Sequence, residues 1–268
     1  MQTHSLMPLV TSQRYLRRAA RQCMRRSSSP GIDGVTWRAY RRDFAGKISS
    51  LSESLSIGKW RPSPVRMVTC RFITGKLLSI AIPTVEDRVV HRAVRNALLP
   101  VLERDVIPEW VSGYLPGRSR ITSVRQAAEH IYNGFRSVCN VDVADVSGVR
   151  SSRDVSELVA SWVSDGSLIA LIRRILDALP SPMAIGSGLS PTLIHLRLAP
   201  IDAALSNLGW RVVRFADTYC VFCESPTAAR IAHRVITDIL SQNGMAVADA
   251  KSWVREHVNP EDLFMVDG

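Results

Sequence analysis

Three aspartates occupy positions where a carboxylate could do chemistry. Asp142 lies near the end of an apolar run, Val138 to Val143, and Asp145 follows three residues later. Asp217 sits between Arg211-Val212-Val213 and Tyr219-Cys220-Val221-Phe222-Cys223, two runs rich in β-branched and aromatic residues that read as the strands of a hairpin. An acid at such a turn is held near the surface, where it can bind a metal. Mg²⁺ favours hard oxygen ligands in near-octahedral geometry. Two Mg²⁺ ions held by carboxylates from separate strands are what nucleotidyl transfer requires. Taken one at a time, each aspartate reads better as an ordinary solvated strand end; taken together, in this strand order, the metal-binding reading is the stronger.

The surrounding elements decide whether these acids can meet. Residues 8–26 read as a basic helix, broken by Ser27-Ser28-Ser29-Pro30-Gly31. Thr36 can cap a helix running to about Ser56, and 65–83 has strand character with a turn at Thr74-Gly75. Pro83-Thr84 opens a helix whose apolar stripe is Val89, Ala93, Val94, Ala97, Leu98, Val101 and Leu102. A helix near 119–135 precedes the Val138 strand, and 153–178 is helical with a break near Asp165-Gly166. Then come a helix over 189–206, the Asp217 hairpin, a helix over 226–242 ended by Asn243-Gly244, and a strand near 246–255. From residue 138 onward this order is a split βαβ pattern, an antiparallel sheet backed by helices. That topology sets the Val138 strand beside the hairpin, so Asp142 and Asp217 are expected to approach each other.

Composition bounds the partners. Hydrophobic residues make up 46% of 268 residues and charged residues 22%, a globular balance. No apolar run approaches the roughly 20 residues that span a bilayer, so no membrane association is expected and the expected location is cytoplasmic. Lys and Arg number 34 against 24 acids, a net charge of +10, and nearly all the cations are Arg. A guanidinium offers a planar fork of donors to a phosphate, which suits nucleic acid. Arg14, Arg17, Arg18, Arg21 and Arg25 form either a solvated helix face or an RNA-backbone contact. Trp60, between Lys59 and Arg61, reads as packing or as a base-stacking aromatic. Five cysteines without framework spacing read as reduced and structural.

Seven segments, in order, resemble the reverse transcriptases of group II introns and their bacterial relatives. They are Pro30-Gly31-Ile32-Asp33-Gly34-Val35-Thr36, Ile82-Pro83-Thr84-Val85-Glu86-Asp87-Arg88, Gly113-Tyr114-Leu115-Pro116-Gly117-Arg118-Ser119, Val141-Asp142-Val143, Leu189-Ser190-Pro191, Phe215-Ala216-Asp217, and Gly244 through Lys251. The resemblance implies an α+β right-hand polymerase architecture. It divides into a basic N-terminal helix (1–29), a fingers-like region (30–137) and a palm-like region (138–268), with the thumb absent. It implies RNA-directed DNA synthesis with Mg²⁺ held by Asp142 and Asp217, Asp145 near the incoming triphosphate and Lys251 near the nucleotide; Lys76 and Arg71 stand near the position of the family's triphosphate arginine, which is Leu78 here, and could compensate for it in part. Apart from the resemblance, the arginine block Arg14, Arg17, Arg18, Arg21 and Arg25, with Arg118, is the candidate for RNA contact, and DNA is a further expected partner.

The departures from the family pattern fall on the chemistry. The second aspartate of the catalytic hairpin is Thr218, and Leu78, Leu115, Ser147 and Ile185 replace residues that serve nucleotide or template. Losing one electrostatic contact to a transition state typically costs about 10²–10³ in rate. The expectation is a reverse-transcriptase-like nucleic-acid-binding protein with impaired or lost polymerase activity. A protein partner could supply the missing thumb or catalytic function. The alternatives are an active but unusual RNA-directed or template-independent DNA polymerase, and an unrelated α/β binding domain.

Overall fold

The structure, a computed structural model, describes residues 5–24, 29–71, 75, 77–148 and 151–265. In chain order its elements are α1 (Met7–Thr11), α2 (Gln13–Met24), α3 (Trp37–Arg41), α4 (Phe44–Ser56), β1 (Arg66–Arg71), β2 (Leu77–Ile82), α5 (Val85–Asp105), β3 (Val111–Ser112), α6 (Arg120–Tyr132), β4 (Ser137–Ala144), α7 (Ser152–Ala160), α8 (Gly166–Asp177), α9 (Ser190–Asn207), β5 (Arg211–Phe215), β6 (Thr218–Cys223), α10 (Pro226–Gln242), β7 (Ala246–Val247) and β8 (Trp253–Glu256). Short 3₁₀ turns lie at Asp249–Lys251 and Pro260–Asp262.

The chain forms two compact units that interleave along the sequence. Among the described residues, one comprises those within 1–105 and 147–196, the other those within 106–146 and 197–265.

In the first unit, α2 packs on α5, and α1 and α4 pack beside them. The stripe Val89, Ala93, Val94, Ala97, Leu98, Val101 and Leu102 is buried, as its helical spacing requires. The expected helix over 8–26 is two helices, because Ser12 is extended at ψ 134° and separates α1 from α2. Thr36 caps α3 by accepting from Ala39 N at 3.2 Å. The helix then breaks, and Asp43 caps α4 through Gly46 N, because its carboxylate can take one of the free N–H groups in the first turn of a new helix. β1 and β2 pair antiparallel, from Arg66↔Ile82 to Arg71↔Leu77. Trp60 is buried, which fits its packing role.

The second unit is built on a sheet ordered β3-β5-β6-β4-β7, with β8 also pairing β4. β4, β5, β6, β7 and β8 pair antiparallel, as the split βαβ pattern predicts. The expectation of a purely antiparallel sheet is corrected by β3, which pairs parallel to β5 through Val111↔Arg214 and Ser112↔Phe215. The backbone hydrogen bonds Arg214 N→Trp110 O and Ala216 N→Ser112 O, both 3.0 Å, hold that pairing. The predicted terminal strand is split into β7 and β8 by the 3₁₀ turn at Asp249–Lys251. β4 is almost continuously buried, as expected of a strand covered on both faces. α10 packs along β4, β6 and β8, while α6 contributes Val124 and Ala127 to a core with Val138, Val213, Cys220, Phe222, Leu263 and Phe264.

Among the described residues, no helix is long and apolar enough to cross a membrane. The five cysteines are free thiols, and of them Cys139 and Cys220 are buried.

Candidate active site at the β5–β6 turn

The hairpin turn carrying Asp217 is fixed from beneath. β5 and β6 close at Phe215↔Thr218, leaving Ala216 and Asp217 as the turn. Ala216 adopts φ 56°, a left-handed conformation that costs a Cβ-bearing residue about 1–2 kcal/mol. It is held there by both of its backbone polar groups. Its N–H donates to Ser112 O at 3.0 Å, and its carbonyl accepts from Arg214 Nη1 at 2.6 Å.

Arg214 is wholly buried, and its fork is matched by Asp202 on α9. Nε donates to Oδ1 at 3.0 Å and Nη2 to Oδ2 at 2.6 Å. Tyr219 Oη, also fully buried, donates to Asp202 Oδ1 at 2.8 Å. Two charges removed from water persist only when hydrogen bonds satisfy them in this way. The trio was not singled out from the sequence. Its signal was an arginine inside Val212-Val213-Arg214-Phe215, since an arginine in an apolar strand demands a buried acid.

β4 brings Asp142 opposite Thr218 in the ladder. Thr218 Oγ1 donates to Asp142 Oδ2 at 3.0 Å, and Val143 N donates to Asp217 O at 3.1 Å. The other edge of β4 is tied to the turn that splits the last strand. Asp142 N donates to Ser252 Oγ at 3.0 Å, Ala248 N to Asp142 O at 2.8 Å, and Asn140 Nδ2 to Lys251 O at 2.9 Å.

The electrostatics show which groups gather here. Burial, and after it the negative charge of Asp142, push the Asp217 carboxyl above its ordinary range, while the charges of Lys251 and Arg214 pull it back. Burial and then the charge of Asp217 raise the Tyr114 hydroxyl. Asp142, Asp217, Thr218 and Lys251 therefore share one locale, joined by Tyr114, which the sequence presented only as part of a motif. Gly113 precedes it at φ 86°, and a Cβ there would lie 2.8 Å from Ala216 N, so only glycine lets the two turns approach this closely.

Asp145 lies beyond the end of β4, exposed, in a left-handed conformation at φ 45°. Arg118 Nη1 donates to the carbonyls of Pro108 (2.8 Å) and Val111 (3.2 Å), so this guanidinium braces the loop before β3. In the first unit, Arg14, Arg17, Arg18 and Arg21 are all exposed, spaced along one face of α2, and Arg71 is exposed at the end of β1. Lys76 and Arg25 lie outside the described residues. Among the described residues no cluster of three or more His, Cys, Asp or Glu could hold a metal ion. The hairpin locale supplies a pair of carboxylates, Asp142 and Asp217, with Thr218 Oγ1 bonded to one of them.

No family model matches the chain. Protein YkfC of Escherichia coli (strain K12) is 31% identical over 179 residues, covering 65% of this chain and 47% of YkfC. The chain thus spans about half the length of this curated relative. Two solved structures, a "Partial Cas6-RT-Cas1–Cas2 complex" and a "Cas6-RT-Cas1–Cas2 complex", contain chains 18% identical with a TM-score of 0.48. The superpositions cover 89% of this chain and 41% and 26% of theirs.

Proposed function

We propose that the chain is a reverse-transcriptase-like nucleic-acid-binding protein whose polymerase site is impaired or lost. The observation that carries this is the hydrogen bond from Thr218 Oγ1 to Asp142 Oδ2. An aspartate at 218, the residue of the family pattern, would set a second carboxylate directly opposite Asp142. Threonine supplies no charge, and its hydroxyl donates to the carboxylate that a cation needs.

In this reading residues 138–268 are palm-like, 30–137 fingers-like, and 1–29 a basic N-terminal segment. Asp142 and Asp217 fit a Mg²⁺ site in part: burial and then the charge of Asp142 raise Asp217, and a shared divalent cation relieves that repulsion. Bound there, Mg²⁺ would supply charge stabilisation for a transferring phosphoryl group. Lys251, Asp145, Arg71 and Lys76 would serve the nucleotide. Arg14, Arg17, Arg18, Arg21, Arg25 and Arg118 would serve RNA, and a protein partner could complete the assembly.

The proximity of Asp142 to Asp217 also favours a second reading, an active but unusual RNA-directed or template-independent DNA polymerase with a rewired site. Primer extension on an RNA template with Mg²⁺ or Mn²⁺ separates the two. The first reading expects little or no incorporation by the wild type and a gain with Thr218→Asp. Wild-type incorporation that disappears in Asp217→Ala would establish the second.

A further inference from the structure

Two arginines of the first unit converge with no acid between them. After α4, the backbone N–H groups of Lys59 and Trp60 both donate to Ser54 O, at 2.9 and 3.0 Å, which folds the chain back over the helix end. The carbonyls of Gly58 and Trp60 are left to accept from elsewhere. Arg61 Nη1 donates to both, at 2.7 and 2.8 Å. Arg174, on α8, donates from its own Nη1 to the same Gly58 oxygen at 3.0 Å and reaches Trp60 O at 3.5 Å. One carbonyl oxygen thus sits between two guanidinium nitrogens.

This juxtaposition is electrostatically incomplete. The ion pairs among the described residues involve neither arginine. Burial, and then the positive charge of Arg61, lower Arg174 below the ordinary arginine range, with no carboxylate opposing them. Arg174 Nε is enclosed and lacks a hydrogen-bond partner among the described residues. Lys59, exposed alongside, adds a third cation.

We propose that Arg61 and Arg174, with Lys59 beside them, form a binding site for a phosphate oxyanion. Neutral carbonyls hold the two guanidiniums together without cancelling their charge. A tetrahedral dianion bridging the free edges of both forks would cancel it. Guanidinium forks match phosphate oxygens in geometry and give charge-assisted hydrogen bonds. The phosphate could be a free anion or a link of a polynucleotide backbone. The site itself does not depend on the polymerase-like reading.

The test uses the full chain with inorganic phosphate, against chloride at equal ionic strength, read as thermal midpoint. Phosphate is expected to raise the wild-type midpoint saturably, with binding roughly tenfold weaker in Arg61→Gln, the loss of about one charged hydrogen bond. Arg61 is exposed, so an unchanged midpoint in chloride shows that the variant folds. Equal behaviour of phosphate and chloride, or a phosphate shift fully retained in Arg61→Gln, overturns the site. An RNA oligonucleotide without terminal phosphates then identifies the source. A salt slope smaller by about 1 in Arg61→Gln assigns the site to a backbone phosphate. An unchanged slope, or no RNA binding, alongside a lost phosphate shift assigns it to a free phosphate.

Discussion

Thr218 and Asp142 face each other across the β4–β6 ladder and share a hydrogen bond of 3.0 Å. The contact joins a neutral donor to one member of a carboxylate pair. Removing it with Thr218→Val should destabilise the fold by about 0.5–1.5 kcal/mol, read from urea midpoints. Thr218→Asp should destabilise it as well in a chelating buffer, because like charges then lie directly opposite. Mg²⁺ should restore the midpoint of the aspartate variant and leave the valine variant unmoved. Equal Mg²⁺ responses would refute a cation site at this ladder position.

The buried trio under the turn predicts a non-additive pattern. Asp202→Leu leaves Arg214 charged and buried without its partner, and should cost about 3–5 kcal/mol. Arg214→Met does the same to Asp202, although Tyr219 still donates to it. The double variant should be less destabilised than the sum of the two, and Tyr219→Phe alone should cost about 1 kcal/mol. Chemical denaturation of the four proteins checks the cycle, and simple additivity would refute the coupling.

Two buried groups at α5 set opposing pH slopes. Burial, with a smaller push from Glu86, raises Asp87 from 3.8 to about 6 against hydrogen bonds from Thr84 and Ser63. Its contribution to stability is full below 3.8 and is lost as pH rises through about 6. Burial, then the charge of Arg88, lowers His91 from 6.5 to about 4. Its contribution is full above 6.5 and is lost as pH falls through about 4. Each shift corresponds to about 3 kcal/mol, so the two nearly cancel. Asp87→Asn should unmask His91: stability should then rise by about 3 kcal/mol from pH 4 to 6.5. Urea midpoints across that range decide it, and parallel profiles for the two proteins would count against the assignment.

Gly113 and Gly117 both have positive φ, but only Gly113 faces a wall. A Cβ at Gly113 meets Ala216 N at 2.8 Å, whereas nothing lies within 4 Å of one at Gly117. Gly117→Ala should cost about 1–2 kcal/mol from backbone strain alone. Gly113→Ala should cost clearly more and should alter the backbone amide resonances of Ala216 and Asp217. Equal costs would show that the close approach is not tight.

Helices with strong stripes and clear stops were legible in the sequence. α10 was expected over 226–242 with its end at Asn243-Gly244, and it runs Pro226–Gln242 with Asn243 as its cap. β4 was expected over 138–143 and spans Ser137–Ala144. The meeting of Asp142 with the hairpin followed from strand order, a property of topology. What escaped is what sequence distance hides. The parallel pairing of β3 involves two residues whose partners lie about a hundred positions on, and it carries no periodicity. The Arg214–Asp202 pair joins a strand to a helix, where no spacing rule applies. The bond from Thr218 to Asp142 required knowing the register to one residue.

The interleaving of the units has a consequence for synthesis. Thr218 lies 76 residues beyond Asp142, and residues 147–196 of the other unit intervene. At about 5–20 residues per second, β4 leaves the ribosome roughly 4–15 s before β6 can pair with it. During that interval an apolar strand with two open edges waits in the cell. Premature termination within 147–196 would release it unpaired, so incomplete chains should be markedly more aggregation-prone than the finished protein.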